Sequence, residues 1–386
     1  MKSSIKLVPL VLMAFAFTQI SAQDFSKVSN GSFETIEGKV KGLGYLTGEN
    51  VPNWETPRDC PPVDIFTSSA KKEEVQVPVN AYGTSDTQEG DNYIGMLVYS
   101  EREANPRMYI QSKLIKTLIA GKSYCVRMHV SMADLSKYAI NNIGMHLSAA
   151  KVKLASIEEG VVPQILKANN AIITEMGLWT PICAEFEATG VEKYITIGNF
   201  AKQEDVLSQK VRRPREFTQQ QVRGAYYYFD DISVIASNHL DEPCICEEEE
   251  KNPNDRLQVV HTLNTSENMD LAPAKIIEHN KVFFIAGRYA LDEDHKSKLG
   301  KVVSLMQENI SITLLVEGHS DESESSMYSF DVSEKRANAV RTFLISQGID
   351  GGRLSISAVG SINPDAGGGT THAKAQNRRV QFIATE

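Results

Sequence analysis

Two periodicities divide the chain. From about Asp24 to Ala236, apolar and polar residues alternate in short runs: Tyr109–Leu114, Ser123–Val130, Asn142–Leu147, Tyr194–Phe200 and Tyr226–Ile235. Successive side chains of a strand point to opposite faces, so this alternation marks half-buried strands. Turn residues such as Ala120-Gly121-Lys122 and Asn141-Asn142 separate many of them. Regularly spaced short strands predict an all-β sandwich or barrel. Within this region Ile157–Thr174 reads as a loop or a short helix.

Near Pro273 the period changes. Lys281–Ala286 reads as a strand, and Asp292–Glu308 as a helix with Leu299, Val302, Val303 and Met306 on one face. Ile312–Glu317 is a second strand and Val332–Gln347 a second helix, with Ala337, Val340 and Leu344 inward. Asp331 is placed to cap that helix, Glu334 to complete a capping box, and Gly348 to end it. Leu354–Val359 and Arg379–Ala384 are two further strands. The order β-α-β-α-β-β predicts an α+β domain, a mixed sheet with two helices on one face. Between the two patterns, Ser237–Ala274 carries the acidic run Glu247–Glu250 and Asn252-Pro253-Asn254-Asp255. Like charges beside turn residues make a solvated linker.

Composition narrows the class. With 386 residues, 41% hydrophobic, the chain can bury real cores. A net charge of -9 argues against a nucleic-acid binder, which shows a basic field. Only 8% of residues are aromatic, and Lys151–Lys167 and Arg212–Arg223 interrupt the strand rhythm, so a membrane barrel with aromatic girdles fits poorly. Met1–Gln23 has the form of a secretory signal: Lys2 and Lys6, the apolar Leu7–Phe17, then Ser21-Ala22 before a cut. No Cys stands at that cut, the first being Cys60, so lipidation there is not expected. The expected segments are a signal over 1–22, a β domain over 23–237, an acidic linker over 238–274 and an α+β domain over 275–386.

An oxidising compartment permits disulfides among Cys60, Cys125, Cys183, Cys244 and Cys246. Spacing does not dictate their pairing. Cys125 with Cys183 is the first expectation, because both lie in strand-like runs. Cys244-x-Cys246 could serve as half of a metal site or as a redox pair, but no second Cys/His pair at zinc spacing lies near it, which favours structural thiols or bridges.

Three stretches of the α+β region carry candidate chemistry. Val316-Glu317-Gly318-His319-Ser320-Asp321 ends the second strand, Ser333-Glu334-Lys335-Arg336-Ala337 opens the second helix, and Asn377-Arg378-Arg379-Val380 opens the last strand. In this order and spacing they resemble the peptidoglycan-binding OmpA-like C-terminal domain. The resemblance implies a ligand, the meso-diaminopimelate of the stem peptide, that presents both an ammonium and a carboxylate. It implies that Asp321 accepts from the ammonium and that Arg336 grips the carboxylate in two-point geometry. Arg378 would add positive charge or brace the loop, Asn377 would belong to the same binding set, Gly318 would let the backbone approach the ligand, and His319 would be a hydrogen-bonded frame. Asp321 and Arg336 could instead form only a structural ion pair, and Glu317, His319 and Asp321 could alternate as metal ligands. Gly367-Gly368-Gly369-Thr370 lacks the lysine and helix of a phosphate loop and reads as flexible. The chain departs from the family pattern twice. Ser329 replaces an asparagine before the second helix, and Ile285-Ala286-Gly287 replaces a polar Asp-x-Asn, removing side-chain hydrogen bonds near the ligand.

Asn30-Gly31-Ser32-Phe33-Glu34 and Phe229-Asp230-Asp231-Ile232-Ser233-Val234 bracket the β region. With Tyr93-Ile94-Gly95 and Leu118–Tyr124 they resemble a galactose-binding-like jelly roll of the carbohydrate-binding-module type. That resemblance implies a structural calcium held between first and last strands, with Glu34 and Asp231, joined by Asp230, as hard oxygen ligands. Trp54, Trp179 and Tyr226-Tyr227-Tyr228 are candidate sugar platforms. The expected protein is thus a non-enzymatic periplasmic anchor without a membrane span of its own and with no required cofactor. One domain holds peptidoglycan, and the other docks an outer-membrane protein complex. The alternative is a two-headed glycan binder whose jelly roll holds a polysaccharide.

Overall fold

The computed structural model describes residues 26–101, 106–240, 244, 272–324, 329–367 and 371–385. The expected signal, the Glu247–Glu250 run and Cys246 lie outside them.

The β region forms two five-stranded antiparallel sheets. One runs β1 (Trp54–Glu55), β6 (Ile110–Lys113), β12 (Tyr194–Asn199), β9 (Ile143–Ser148), β10 (Ile165–Leu166). The other runs β11 (Thr180–Glu187), β7 (Ser123–Met132), β14 (Gly224–Ala236), β5 (Asn92–Ser100), β2 (Asp64–Thr67). Two small antiparallel pairs, the hairpin β3 (Val79–Asn80) with β4 (Gly83–Thr84) and the long-range pair β8 (Tyr138–Ile140) with β13 (Ser208–Lys210), complete it. Ile110, Ile195 and Ile197 of the first sheet share one buried cluster with Val126, Val130 and Tyr228 of the second, so the sheets enclose a common core. The five strands expected from alternation all form, with ends shifted by a residue or two. Where a loop or short helix is expected over Ile157–Thr174, the helix α1 (Leu154–Gly160) begins three residues earlier, and the short strand β10 lies in the rest.

β14 lies between β7 and β5, and its residues are buried on both faces. This explains its unbroken aromatic run and corrects the sugar-platform expectation. Tyr226, Tyr227 and Tyr228 are core residues. Their hydroxyls are satisfied internally, on the Asp64 carboxylate, the Ile173 carbonyl at 2.7 Å and Asn80 Oδ1 at 2.8 Å. Trp54 is likewise fully buried and donates to the Asn30 carbonyl at 2.7 Å.

The carboxylates considered for calcium pin one loop. Glu34 Oε1 accepts from the amides of Asp91 and Asn92, both at 3.0 Å. Asp230 Oδ2 accepts from the amides of Gln88 and Glu89 at 2.9 and 3.0 Å. Asp231 sits at a bulge of β14 with φ 48° and faces His129 Nδ1 at 3.2 Å. Among the described residues, the one group of three or more His, Cys, Asp or Glu with converging ligand atoms is Cys125, Cys183 and Cys244. Cys125 is bonded to Cys244, with Cα atoms 5.5 Å apart, which corrects the expected Cys125–Cys183 bridge. The reason is register: Cys183 pairs across the ladder with Arg127, and Cys125 with Glu185, so the two cysteines are not opposed.

The α+β region forms a four-stranded mixed sheet in the order β15 (Val282–Phe283), β18 (Arg379–Thr385), β16 (Thr313–His319), β17 (Leu354–Gly360). β16 and β17 are parallel and the other pairs antiparallel. The two expected helices are α3 (Glu293–Glu308) and α4 (Ser329–Ser346), separated from the β region in sequence by α2 (Pro273–His279). α2, and α5 (Thr371–Asn377) before β18, are each only seven residues long, too short for a periodic signal. Ala274 and Ile277 of α2 belong to the C-terminal core, so that domain begins inside the stretch expected as linker.

Helix ends are set by named side chains. Asp292 caps α3 by accepting from the His295 amide at 2.9 Å, with His295 Nδ1 completing the box. At its other end Arg353 donates to the carbonyls of Met306, Asn309 and Ile312, satisfying acceptors that a helix leaves open and placing a cation at its negative pole. Gly348 has φ 90° and ends α4 as expected. Asp331 does not cap α4, because the helix begins earlier, at Ser329; it instead binds Lys335 one turn on, at 2.6 Å.

Candidate functional site

The last residues of β16, the first turns of α4 and the α5–β18 junction converge on one buried charge cluster. Asp321 is 1% exposed. Its Oδ1 accepts from the Ser323 amide and hydroxyl, both at 2.6 Å, and from the Glu324 amide at 3.0 Å. Its Oδ2 accepts from Arg378 Nη1 at 2.5 Å. Burial alone would raise this carboxyl, but Arg378 and the surrounding N–H and O–H donors outweigh it and hold the pKa below the usual range.

Arg336 is fully buried, and every guanidinium N–H is used. Nε donates to the Arg288 carbonyl, and Nη1 and Nη2 to the carbonyls of His319 and Ile285. The remaining two donate to Glu324 as a fork, at 2.8 and 2.5 Å. Asp321 and Arg336 are therefore brought into one cluster but are not each other's partners. The pairs are Asp321–Arg378 and Arg336–Glu324. Burial disfavours charge on Arg378, yet Asp86, Asp321 and Glu324 raise its pKa further, so it is a permanent cation.

Three expected roles change. Gly318 is required not for ligand approach but for helix seating, since a Cβ there would strike the Ser333 carbonyl of α4. His319 is no hydrogen-bonded frame: it is 1% exposed, and neither ring nitrogen has a hydrogen-bond partner. Burial, with Arg379 adding to it, lowers its pKa to about 4, so the ring is neutral at ordinary pH. Its nearest carboxylate, Glu317, is 3.9 Å away, and no metal-ligand group including these residues forms among the described residues. Arg378 is central rather than auxiliary. Asn377 braces the adjoining loop, accepting from the amides of Asp365 and Ala366 at 2.7 and 3.0 Å and donating to the Ala366 carbonyl at 3.0 Å. Beside it, a recess of about 210 Å³ is lined by Glu322, Ser361, Pro364, Lys374 and Asn377 among others.

Sequence reasoning missed Glu324 and Asp86. Glu324 lies in Glu322-Ser323-Glu324-Ser325-Ser326, a polar run that reads as solvated loop. Asp86 belongs to the β region, and its Oδ2 is 2.7 Å from Arg378 Nη2.

Known proteins match this same segment. Outer membrane protein A of Bordetella avium is 30% identical over 109 residues, 28% of this chain and 56% of that one. The peptidoglycan-associated lipoprotein of Pseudomonas aeruginosa is 37% identical over 69 residues, 18% of this chain and 41% of that one. The chain thus spans about half the length of these curated relatives. The crystal structure of the peptidoglycan-associated lipoprotein from Burkholderia pseudomallei is 25% identical, covering 28% of this chain and 90% of that one, with a TM-score of 0.27. By name, one of these relatives belongs to the outer membrane and another is associated with peptidoglycan, in line with the envelope setting expected from the sequence. No helix among the described residues is long and apolar enough to cross a membrane. Residues 283–378 match the model of the OmpA family, and the C-terminal segment of the chain is an OmpA-like domain.

Proposed function

We propose that the protein is a non-enzymatic anchor whose C-terminal domain binds the diaminopimelate-bearing stem peptide of peptidoglycan. The observation that carries this reading is the Asp321–Arg378–Arg336–Glu324 cluster at the end of β16. It sets two guanidinium groups and a carboxylate of lowered pKa beside an Asn377-braced loop. An acid and a guanidinium held at fixed separation suit a ligand that carries an ammonium and a carboxylate on one carbon. The peptidoglycan-associated lipoprotein of Pseudomonas aeruginosa, similar over this segment, supports the same direction. Asp321→Ala should abolish co-sedimentation with purified peptidoglycan while the β domain stays folded. Undiminished retention would remove Asp321 from the site.

The second half of the proposal concerns the β domain, read as a jelly roll that docks an outer-membrane protein complex. Burial of the candidate sugar platforms Trp54 and Tyr226–Tyr228 favours docking over polysaccharide binding. Crosslinking in cells should recover an outer-membrane protein joined to lysines of residues 26–240; recovery of polysaccharide alone would reverse that choice.

A further inference from the structure

The β domain sits on the candidate site itself. Three of its acids meet arginines of the C-terminal domain. Asp86 Oδ2 is 2.7 Å from Arg378 Nη2. Asp134, fully buried, is hydrogen-bonded to Arg288, and Glu216 stands 4.0 Å from the same guanidinium. The Phe217 ring lies 5.4 Å from Arg288 Cζ, a cation–π contact. Backbone and apolar atoms close the seam. A Cβ on Gly177 would lie 2.9 Å from Ile285, and one on Gly287 would lie 3.2 Å from Thr84. Ile285-Ala286-Gly287, where the chain departs from the family pattern, is therefore the stretch that faces the β domain.

Asp86 is presented by a built loop. Its carbonyl accepts from Trp179 Nε1 at 2.9 Å, and the residues just after it are pinned by Asp230. The carboxylate reaches an arginine whose Nε and Nη1 already donate to the Phe284 carbonyl and to Asp321. Glu324 meanwhile occupies the fork of Arg336.

We propose that the β domain closes the peptidoglycan site in cis, with the Asp86 carboxylate standing on Arg378 where the ligand's carboxylate would bind, so that engagement of the cell wall requires the two domains to part. This rests on the peptidoglycan reading of the same site and adds regulation to it. Ligand and loop then compete for one guanidinium, and the ligand's apparent affinity is reduced by the fraction of closed molecules.

The test uses the mature full-length protein. In co-sedimentation with purified peptidoglycan, Asp86→Ala and the double variant Asp86→Ala/Glu216→Ala should bind about tenfold more tightly than the parent. Independently of any variant, a soluble disaccharide-tetrapeptide carrying meso-diaminopimelate should speed amide exchange at residues 84–89 of the unmodified protein. Equal retention by parent and variants, with Asp321→Ala still released and exchange at 84–89 unchanged, overturns the closure and leaves the peptidoglycan reading standing. Absence of retention by the parent and by both variants overturns the reading and the closure with it.

Discussion

His319 shows how a single buried side chain can set a pH limit. Its ring has no hydrogen-bond partner and its pKa is lowered to about 4, first by burial and then by Arg379. A group whose pKa is depressed in the fold adds stability above its ordinary pKa of 6.5 and loses it as pH falls through 4. The loss is about 3 kcal/mol over that window. Denaturation midpoints of the C-terminal domain should therefore fall between pH 6.5 and 4, and His319→Gln should flatten that slope. An equal slope in the variant would assign the pH response elsewhere. Asp321 titrates below this window, because its pKa is lowered from the usual carboxylate value. At this scale the sequence was informative about residue type and less so about partnership. Asp321 and Arg336 were identifiable from the motifs that carry them. That each would choose a different mate could not be read, because Glu324 is distinguished from its exposed neighbour Glu322 only by the turn that Asp321 itself nucleates.

Among the elements, the crossing of β16 and α4 is the tightest constraint on the site. Gly318 and Ser333 approach so closely that no side chain fits between strand and helix, and Ala337 packs over the same spot. Arg336 is the neighbour of Ala337 on α4, so seating the helix is what buries the guanidinium among its acceptors. Gly318→Ala should cost about 1–3 kcal/mol or more, the range of overpacking. It should also weaken peptidoglycan retention without touching any ligand-facing atom. A thermal melt of the variant that matches the parent would show that the helix can slide without loss. The long, periodic elements were readable before the fold was known: Leu299, Val302, Val303 and Met306 of α3 and Val340 and Leu344 of α4 all enter the core. The short α2 and α5 were not, since one or two turns cannot display a period. α4 starts earlier than its capping signals suggest, so Asp331 lies inside its first turn and pairs with Lys335 instead of capping.

In the whole molecule, the ion pairs that join the two domains take their acids from one and their arginines from the other. Asp86, Asp134 and Glu216 of the β domain face Arg288 and Arg378 of the OmpA-like domain. Two domains were legible from the change of period near Pro273, but their contact was not. Asp86 and Arg378 are nearly three hundred residues apart, and no local pattern links them. The net charge of -9 likewise conceals this division of sign. The Cys125–Cys244 bridge adds a mechanical consequence. It fastens the chain to the β7 strand just before the segment that leads to the second domain, leaving 28 residues between Cys244 and Pro273. Dilution cannot open a contact joined in this way, but tension can. If one domain is held by the outer membrane and the other by the cell wall, a load that separates the two layers also draws Asp86 off Arg378. Stretch would then uncover more of the wall-binding surface, and the tether would hold harder under strain than at rest.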